Sequence, residues 1–459
     1  MFRRTLFACA AGLSLAVSCT SEPALRIDVP EGAIVLSGAA VYLGEGRTLD
    51  DALVVLDGDR VAAVLPRPRA EYSLPAGARL LDVRGKTILP GLIDLHAHLG
   101  ADGCFAGQMS ESRLRRELRA DLSNGVTTVL DLGSLPWLAN ERARAQAGDW
   151  DSPEILLAGP MITAPGGHPT AAEGKLASMA ARVSGEVQAR LTVGWIADGG
   201  ADVIKAVLEP GGYGGMSPKP SLSPAELGAI ADEAHARGLR LFVHVSTSEG
   251  ARTALDAGAD ALAHVPIEGR IADSGLPARL ALFGIPTVST LSAFEGYYRL
   301  LDDPGYLDSA DLASSVDADV LDSCRGAEVV SFADSNPFTV YAREQFENAR
   351  QNIAALRAAG APIALGTDAG NLYVFHGAAV HRELQLLVDA GLSPAEAIDA
   401  ATRGAADAIG RPDLGAVRPG RRADLLVVDG NPAKRIADID RIALVIRAGR
   451  FYDRADLAN

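Results

Sequence analysis

Through the middle of the chain, short runs rich in Val, Ile and Leu alternate with stretches of helical periodicity. Candidate strands are residues 87–92 running into 94–98, then 127–131, 154–159, 202–207, 239–244, 259–264, 285–289 and 362–367. None alternates strictly between apolar and polar positions, as expected for parallel strands covered on both faces. Ser223-Pro224-Ala225-Glu226 reads as a helix start, with Ser as N-cap and Pro in the first turn, and the helix is expected to run to about Arg237 before Gly238. Ser393-Pro394-Ala395-Glu396 repeats that start. Eight strands with helical connections predict an α/β fold, a (β/α)8 TIM-type barrel over residues 85–412.

The flanks have a different rhythm. Residues 39–42, 52–56 and 61–65 are short β-like pieces broken by Gly and Asp, and the pattern returns at 415–417, 423–428 and 442–447. Residues 25–84 and 413–459 are therefore expected to form a single composite β-sandwich from both chain ends. The stretch 292–339 lacks strong periodicity and is expected to be a long loop after the seventh strand, covering the barrel mouth as a partial lid.

Hydrophobic residues make up 48 % of the 459, enough to offset the entropy of ordering the chain. The formal net charge of −15 comes without a basic stripe, which argues against a nucleic-acid partner. At the start, Arg3 and Arg4 precede an apolar run from Leu6 to Val17 and then Ser18-Cys19. Residues 1–18 thus read as a secretory signal, the apolar run being shorter than the ~20 residues of a membrane span. Leu15-Ala16-Val17-Ser18-Cys19 also resembles a bacterial lipoprotein box with Cys19 as the lipidated residue, although Ala16 stands where Leu or Val is more usual. The expectation is an exported protein, periplasmic or anchored to the outer membrane of a bacterium, meeting the membrane only through that lipid. Of the four cysteines, Cys104 and Cys324 remain for the folded body; an oxidising compartment permits a disulfide, and two free thiols are the alternative.

His96 and His98 lie at i and i+2 at the end of the first strand, so both side chains point to one face. Imidazole suits divalent Zn, Mn, Co or Ni, but a pair alone is equally a solvated or core-packed feature. His244 ends the fifth strand, His264 the sixth and Asp368 the eighth. In a barrel these ends converge on one small volume, where barrel enzymes keep their chemistry. Lys205, on the fourth strand, completes the set: an unpaired ammonium is costly there, and burial makes its neutral amine available to react with carbon dioxide. The resulting carbamate could bridge two metals; an acid-paired lysine or a Schiff-base lysine are the alternatives.

Pro90-Gly91-Leu92-Ile93-Asp94-Leu95-His96-Ala97-His98, Ile204-Lys205, His244, His264 and Gly366-Thr367-Asp368-Ala369-Gly370 together resemble the strand motifs of the amidohydrolase superfamily. Ala400-Ala401-Thr402, Gly415, Arg418-Pro419-Gly420 and Ala423-Asp424-Leu425 resemble its return into the flanking β-domain. Within that superfamily the chain looks closest to imidazolonepropionase-like hydrolases, a group that includes prolidase-like dipeptidases and ochratoxinase-like amidases. The resemblance implies two divalent ions, expected to be Zn, with His96, His98 and Asp368 on the more buried one. It implies His244 and His264 on the second, carboxylated Lys205 bridging them, and Asp368 as general base and then acid for a metal-bridging hydroxide. The implied reaction is cleavage of an amide bond in a small molecule such as a dipeptide or N-acyl amino acid.

Three further residues near the mouth are candidates. His168, in Gly166-Gly167-His168-Pro169, sits where related hydrolases often have Gly-Gly-His-Gly, and is either substrate-facing or a loop-packing residue. Tyr213, after the Lys205 strand, is a candidate for hydrogen bonding an oxyanion, or a loop aromatic. His376 is expected to support the ligands from behind. His235 and His381 fall in helical patterns and read as solvent-facing or packing residues. No Gly-x-Ser-x-Gly elbow is present, which argues against a serine hydrolase. A cyclic amidase, a lactonase or esterase on the same site, and an inert binding protein are the rival readings, because the scaffold does not fix the substrate. The oligomeric state, a homo-oligomer included, is left open.

Overall fold

The computed structural model describes residues 24–104, 110–170, 179–313 and 316–457. The signal segment and Cys19 lie outside the described residues. Among those described, no helix is long and apolar enough to cross a membrane.

Strands from both flanks share one mixed eight-stranded sheet, in the order Arg450–Asp453, Ile442–Arg447, Leu425–Asp429, Lys86–Pro90, Ile34–Gly44, Arg47–Asp57 and Arg60–Pro66, with Arg79–Asp82 added beside Ile34–Gly44. No strand forms at 415–417. The first strand expected from the sequence divides in two. Lys86–Pro90 pairs antiparallel with Leu425–Asp429 in the flanking sheet, and Leu92–Ala97 pairs parallel with Val126–Asp131. Gly91 is the break: a Cβ there would collide with the Thr127 side chain, so only glycine lets the backbone pass from one sheet to the other.

Apart from a short parallel pair, Leu25–Arg26 with Ala70–Glu71, the remaining strands are all parallel and fall into two ladders. One is three-stranded, in the order Glu154–Leu157, Val126–Asp131, Leu92–Ala97. The other is seven-stranded, in the order Ala180–Arg182, Met161–Thr163, Val203–Leu208, Arg240–Val245, Ala261–Leu262, Thr287–Val288, Ile363–Ala364. The expected closed barrel is therefore not present as one continuous ladder. At one seam the expected third strand ends at Leu157, and beyond Pro160, which has no N–H to donate, Met161–Thr163 forms a further strand in the other ladder. Single hydrogen bonds bridge both seams: Asp202 N to Leu157 O (2.7 Å) on one side, Leu95 N to Leu365 O (3.1 Å) and His98 N to Ala369 O (2.8 Å) on the other. Ile93, Leu95, Leu130, Leu156, Val203, Phe242, Ala261, Val288 and Ala364 bring apolar side chains from the strands of both ladders into one enclosed core. Ala405, Ala406 and Ala408 of helix Arg403–Ala408 pack against that core, and the small side chains let the helix sit close.

Helices cover the outside. Pro224–Ala236 and Pro394–Ala400 both open with a reciprocal capping box, Ser223 with Glu226 and Ser393 with Glu396, as their sequences predict. The segment expected to be a loop is helical instead: Leu291–Asp302, Ala310–Ala313, Ala318–Cys324, Ala327–Ser335 and the start of Pro337–Ala358. Leu291–Asp302 is buried around much of its circumference, at Leu291, Ser292, Ala293, Phe294, Glu295, Gly296 and Tyr298. Cys104 and Cys324 form a disulfide that ties the loop after the His98 strand to this segment.

Candidate metal centre

The strand motifs bring His96, His98, Lys205, His244, His264 and Asp368 to the lining of one cavity of about 810 Å³, with His168 and Tyr213 on its wall. The imidazoles form a file: ring centroids lie 5.4 Å apart for His98 and His96, 4.5 Å for His96 and His264, 4.5 Å for His264 and His244, and 5.4 Å for His244 and His168. Asp368 faces the first of them, its Oδ1 3.3 Å from His96 Nε2 and 3.0 Å from His98 Nε2. Lys205 Nζ is 3.5 Å from His96 Nε2, with the residue only 1 % exposed.

Three of the rings are oriented by a hydrogen-bonding partner. His96 Nδ1 donates to Ala263 O (3.0 Å), His264 Nδ1 is bonded to Thr290 Oγ1 (2.8 Å), and His244 Nε2 lies 3.3 Å from Glu209 Oε2. Such contacts fix a ring's orientation and leave its other nitrogen for a ligand. Backbone strain is held here too: Asp368 (φ 61°) and Thr290 (φ 45°) both adopt the left-handed conformation, costly for residues with a Cβ. Gly366 just before Asp368 packs against Val288 and His96 so tightly that a Cβ has no room.

Below the ligands lies a layer of buried acids. Asp94 accepts from His96 N (3.0 Å), Thr367 N (3.0 Å) and Thr367 Oγ1 (2.6 Å). Asp131 accepts from Leu99 N (2.8 Å), and Glu117 from Gly100 N (2.6 Å). His376 is not in the cavity. It sits behind the ligands, with Nε2 3.3 Å from His98 O and Nδ1 3.5 Å from Asp121 Oδ2. Burial opposes its charge, yet Glu117 and Asp121 raise His376 from the usual imidazole range to about 10. Burial also pushes the Asp94 and Glu117 carboxyls up, each to about 7.

Inside the cavity the balance runs the other way. Burial drives His96 and His264 well below the usual imidazole range, and lowers Lys205 to about 7 against the pull of Asp368. Asp368, which burial would raise, is held well below the carboxylate range by His96 and His98. Neutral His96 and His264 imidazoles and an ionised carboxylate with a buried orphan oxygen, Asp368 Oδ1, are a donor set that suits a divalent ion, and ligand atoms of His96, His98 and Asp368 lie within 4.8 Å of one another. The residues present fit such an ion.

Sequence reasoning missed Glu209, Asp94, Asp131 and Glu117. Glu209 was within reach: it stands four residues beyond Lys205, so strand alternation puts both side chains on one face. Tyr213 OH donates to Glu209 Oε2 (2.9 Å), which occupies the phenol proton. His235 is half exposed and paired with Asp260 (2.8 Å); His381 is bonded to Asp440 and to Asn124 O. Both keep the outlying roles their patterns suggest.

Parallel strands that carry histidines and an aspartate at their C-terminal ends, gathered on one cavity, are the arrangement of a metal-dependent hydrolase. The chain belongs to the amidohydrolase family, which it matches over residues 87–451, and it is a hydrolase acting on C–N bonds. It is 27 % identical to the imidazolonepropionase of Streptomyces griseus subsp. griseus over 421 residues, 90 % of this chain and 95 % of that one. A prolidase solved with N-methylphosphonate-L-proline superposes with a TM-score of 0.75 at 25 % identity, covering 92 % of this chain and 100 % of that one. A Xaa-Pro dipeptidase with methionine in its active site shares the fold, with a TM-score of 0.73 at 22 % identity over 92 % of this chain and 100 % of that one.

Proposed function

We propose that the protein cleaves an amide bond in a small substrate, a dipeptide or N-acyl amino acid, with two divalent ions, Zn in the native enzyme. His96, His98 and Asp368 would hold one ion, His244 and His264 the other, and a carboxylated Lys205 would bridge them. The observation that carries this reading is the placement of Lys205: its side chain is wholly buried, beside His96 and within the charge of Asp368, in the one cavity where the four imidazoles meet. Bound ions supply Lewis acidity there, lowering the pKa of a water and polarising an amide carbonyl. Asp368, at the end of its strand and facing that space, is placed to take a proton from the water and pass it to the leaving nitrogen. His168 and the Tyr213–Glu209 pair line the wall beside His244, where a bound substrate would meet them. His376 and Glu117 keep the His98–Gly100 backbone in place behind the ligands.

The same reading takes residues 1–18 as an export signal with lipidated Cys19, residues 85–412 as a TIM-type barrel, and residues 25–84 with 413–459 as its composite β-domain. It is tested by metal analysis of protein purified with bicarbonate, wild type beside Lys205→Ala. About two ions per chain, falling sharply in the variant, support the bridged pair and justify screening dipeptides and N-acyl amino acids, with cyclic amides, lactones and esters as controls. One ion, unchanged in the variant, overturns the bridge.

A further inference from the structure

The cavity wall carries one charge that the proposed chemistry does not use. Among the charged residues that line it, Asp102 is bound by Arg113 (2.8 Å), Glu209 is engaged by His244 and Tyr213, and Asp368 and Lys205 belong to the imidazole cluster. Lys219 remains. Among the described residues, no hydrogen bond or ion pair occupies its ammonium. It lies close enough to His168 for its charge, after burial and His244, to help hold that imidazole in the neutral form.

Its backbone is held in place. Lys219 stands between Pro218 and Pro220, so its own φ and ψ are restricted by the following ring, and its N–H donates to Pro210 O (2.7 Å), closing the loop that begins just after Glu209. A cation on a stiff loop loses little freedom when it meets a ligand. Much of the rest of the cavity lining is apolar and adaptable, with Met161, Met179, Met216, Ile267, Phe294 and Tyr297. Such a wall accepts many side chains but contributes no charge to oppose an anion.

We propose that Lys219 is a specificity-determining residue that binds a carboxylate on the leaving-amine side of the substrate, selecting N-acyl amino acids and dipeptides with a free C-terminus over neutral amides. This rests on the amide-hydrolase reading above and names the substrate class within it. The carboxylate keeps its charge throughout the reaction, so its contact with Lys219 strengthens substrate and transition state alike, and its loss appears in KM rather than kcat.

The test pairs each member of an N-acyl-L-amino acid panel with its C-terminal carboxamide, following release of the acyl acid by the metal-loaded enzyme. Wild type is expected to cleave the acids with the lower KM. Lys219→Ala and Lys219→Met are expected to raise that KM about 10- to 100-fold, with kcat changed less than about threefold and the carboxamides unaffected. Lys219→Arg is expected to restore the acid preference. Equal KM values for acids and carboxamides in wild type, or an unchanged KM in a neutral variant, overturn the role of Lys219 and leave the amide-hydrolase reading standing. Cleavage of neither series by wild type overturns both. The wild-type comparison decides even where a variant fails to fold.

Discussion

At the floor of the cavity three of the imidazoles are held by hydrogen-bonding partners, whereas much of its wall is methionine and aromatic side chains borne largely on helices and loops. His96, His264 and His244 each have one nitrogen anchored to a carbonyl, a hydroxyl or a carboxylate, and the backbone beneath them is bound by Asp94, Asp131 and Glu117. The walls contain Met161, Met179, Met216, Phe294 and Tyr297, three of them flexible thioethers. A floor of this kind fixes geometry to within a hydrogen bond, and a wall of this kind settles only size and polarity. The difference teaches where each property of the enzyme is written: reaction type in the strand ends, substrate choice in the connections.

The sharpest break of that contrast comes from the floor itself. Asp368→Asn keeps the shape but removes the carboxylate, and is expected to lower kcat by about 10²- to 10⁴-fold, measured on whichever amide the wild type cleaves best. Behind the ligands, His376→Ala is expected to weaken metal retention about 10- to 100-fold in a chelator competition, a readout independent of turnover. An unchanged affinity there would mean that the acid layer supports the fold alone.

The wall helix offers a milder test. Burial favours a protonated Glu295, but hydrogen bonds and charge from Arg382 and Arg299 hold it below the usual carboxylate range. A depressed folded value means that the stabilisation is present above the unfolded value and lost as pH falls through the folded one. Glu295→Gln should therefore cost ~2 kcal/mol at neutral pH, with the gap to wild type closing on acidification in a series of melting curves. The smallest effect is expected from Phe294→Leu, which should shift KM among substrates of different side chain about threefold while metal content stays the same.

The same contrast explains what could be read in advance. His96, His98, His244, His264 and Asp368 were legible because each closes an apolar run, a local signal that a parallel strand has reached its polar end. The acid layer was not, because Glu117 comes from helix Glu111–Ser123 and meets Gly100 only after the chain folds. Helix Leu291–Asp302 was missed for a related reason: Leu291–Gly296 are all buried, Ser292 and Glu295 among them, so polar residues there do not mark a solvent face. Most strand positions were legible to within two or three residues, but the strands Met161–Thr163 and Ala180–Arg182 and the break at Gly91 were not. That break depends on Thr127, a neighbour brought there by pairing between strands.

The bond between Cys104 and Cys324 joins residues 220 positions apart and encloses Lys205, His244 and His264, while His96, His98 and Asp368 lie outside that ring. Any one protease cut inside it leaves both halves of the metal centre on a single covalent body. A nicked molecule should migrate intact on a gel without reductant and separate into two bands with it. That ring holds a chain severed within it together as one molecule.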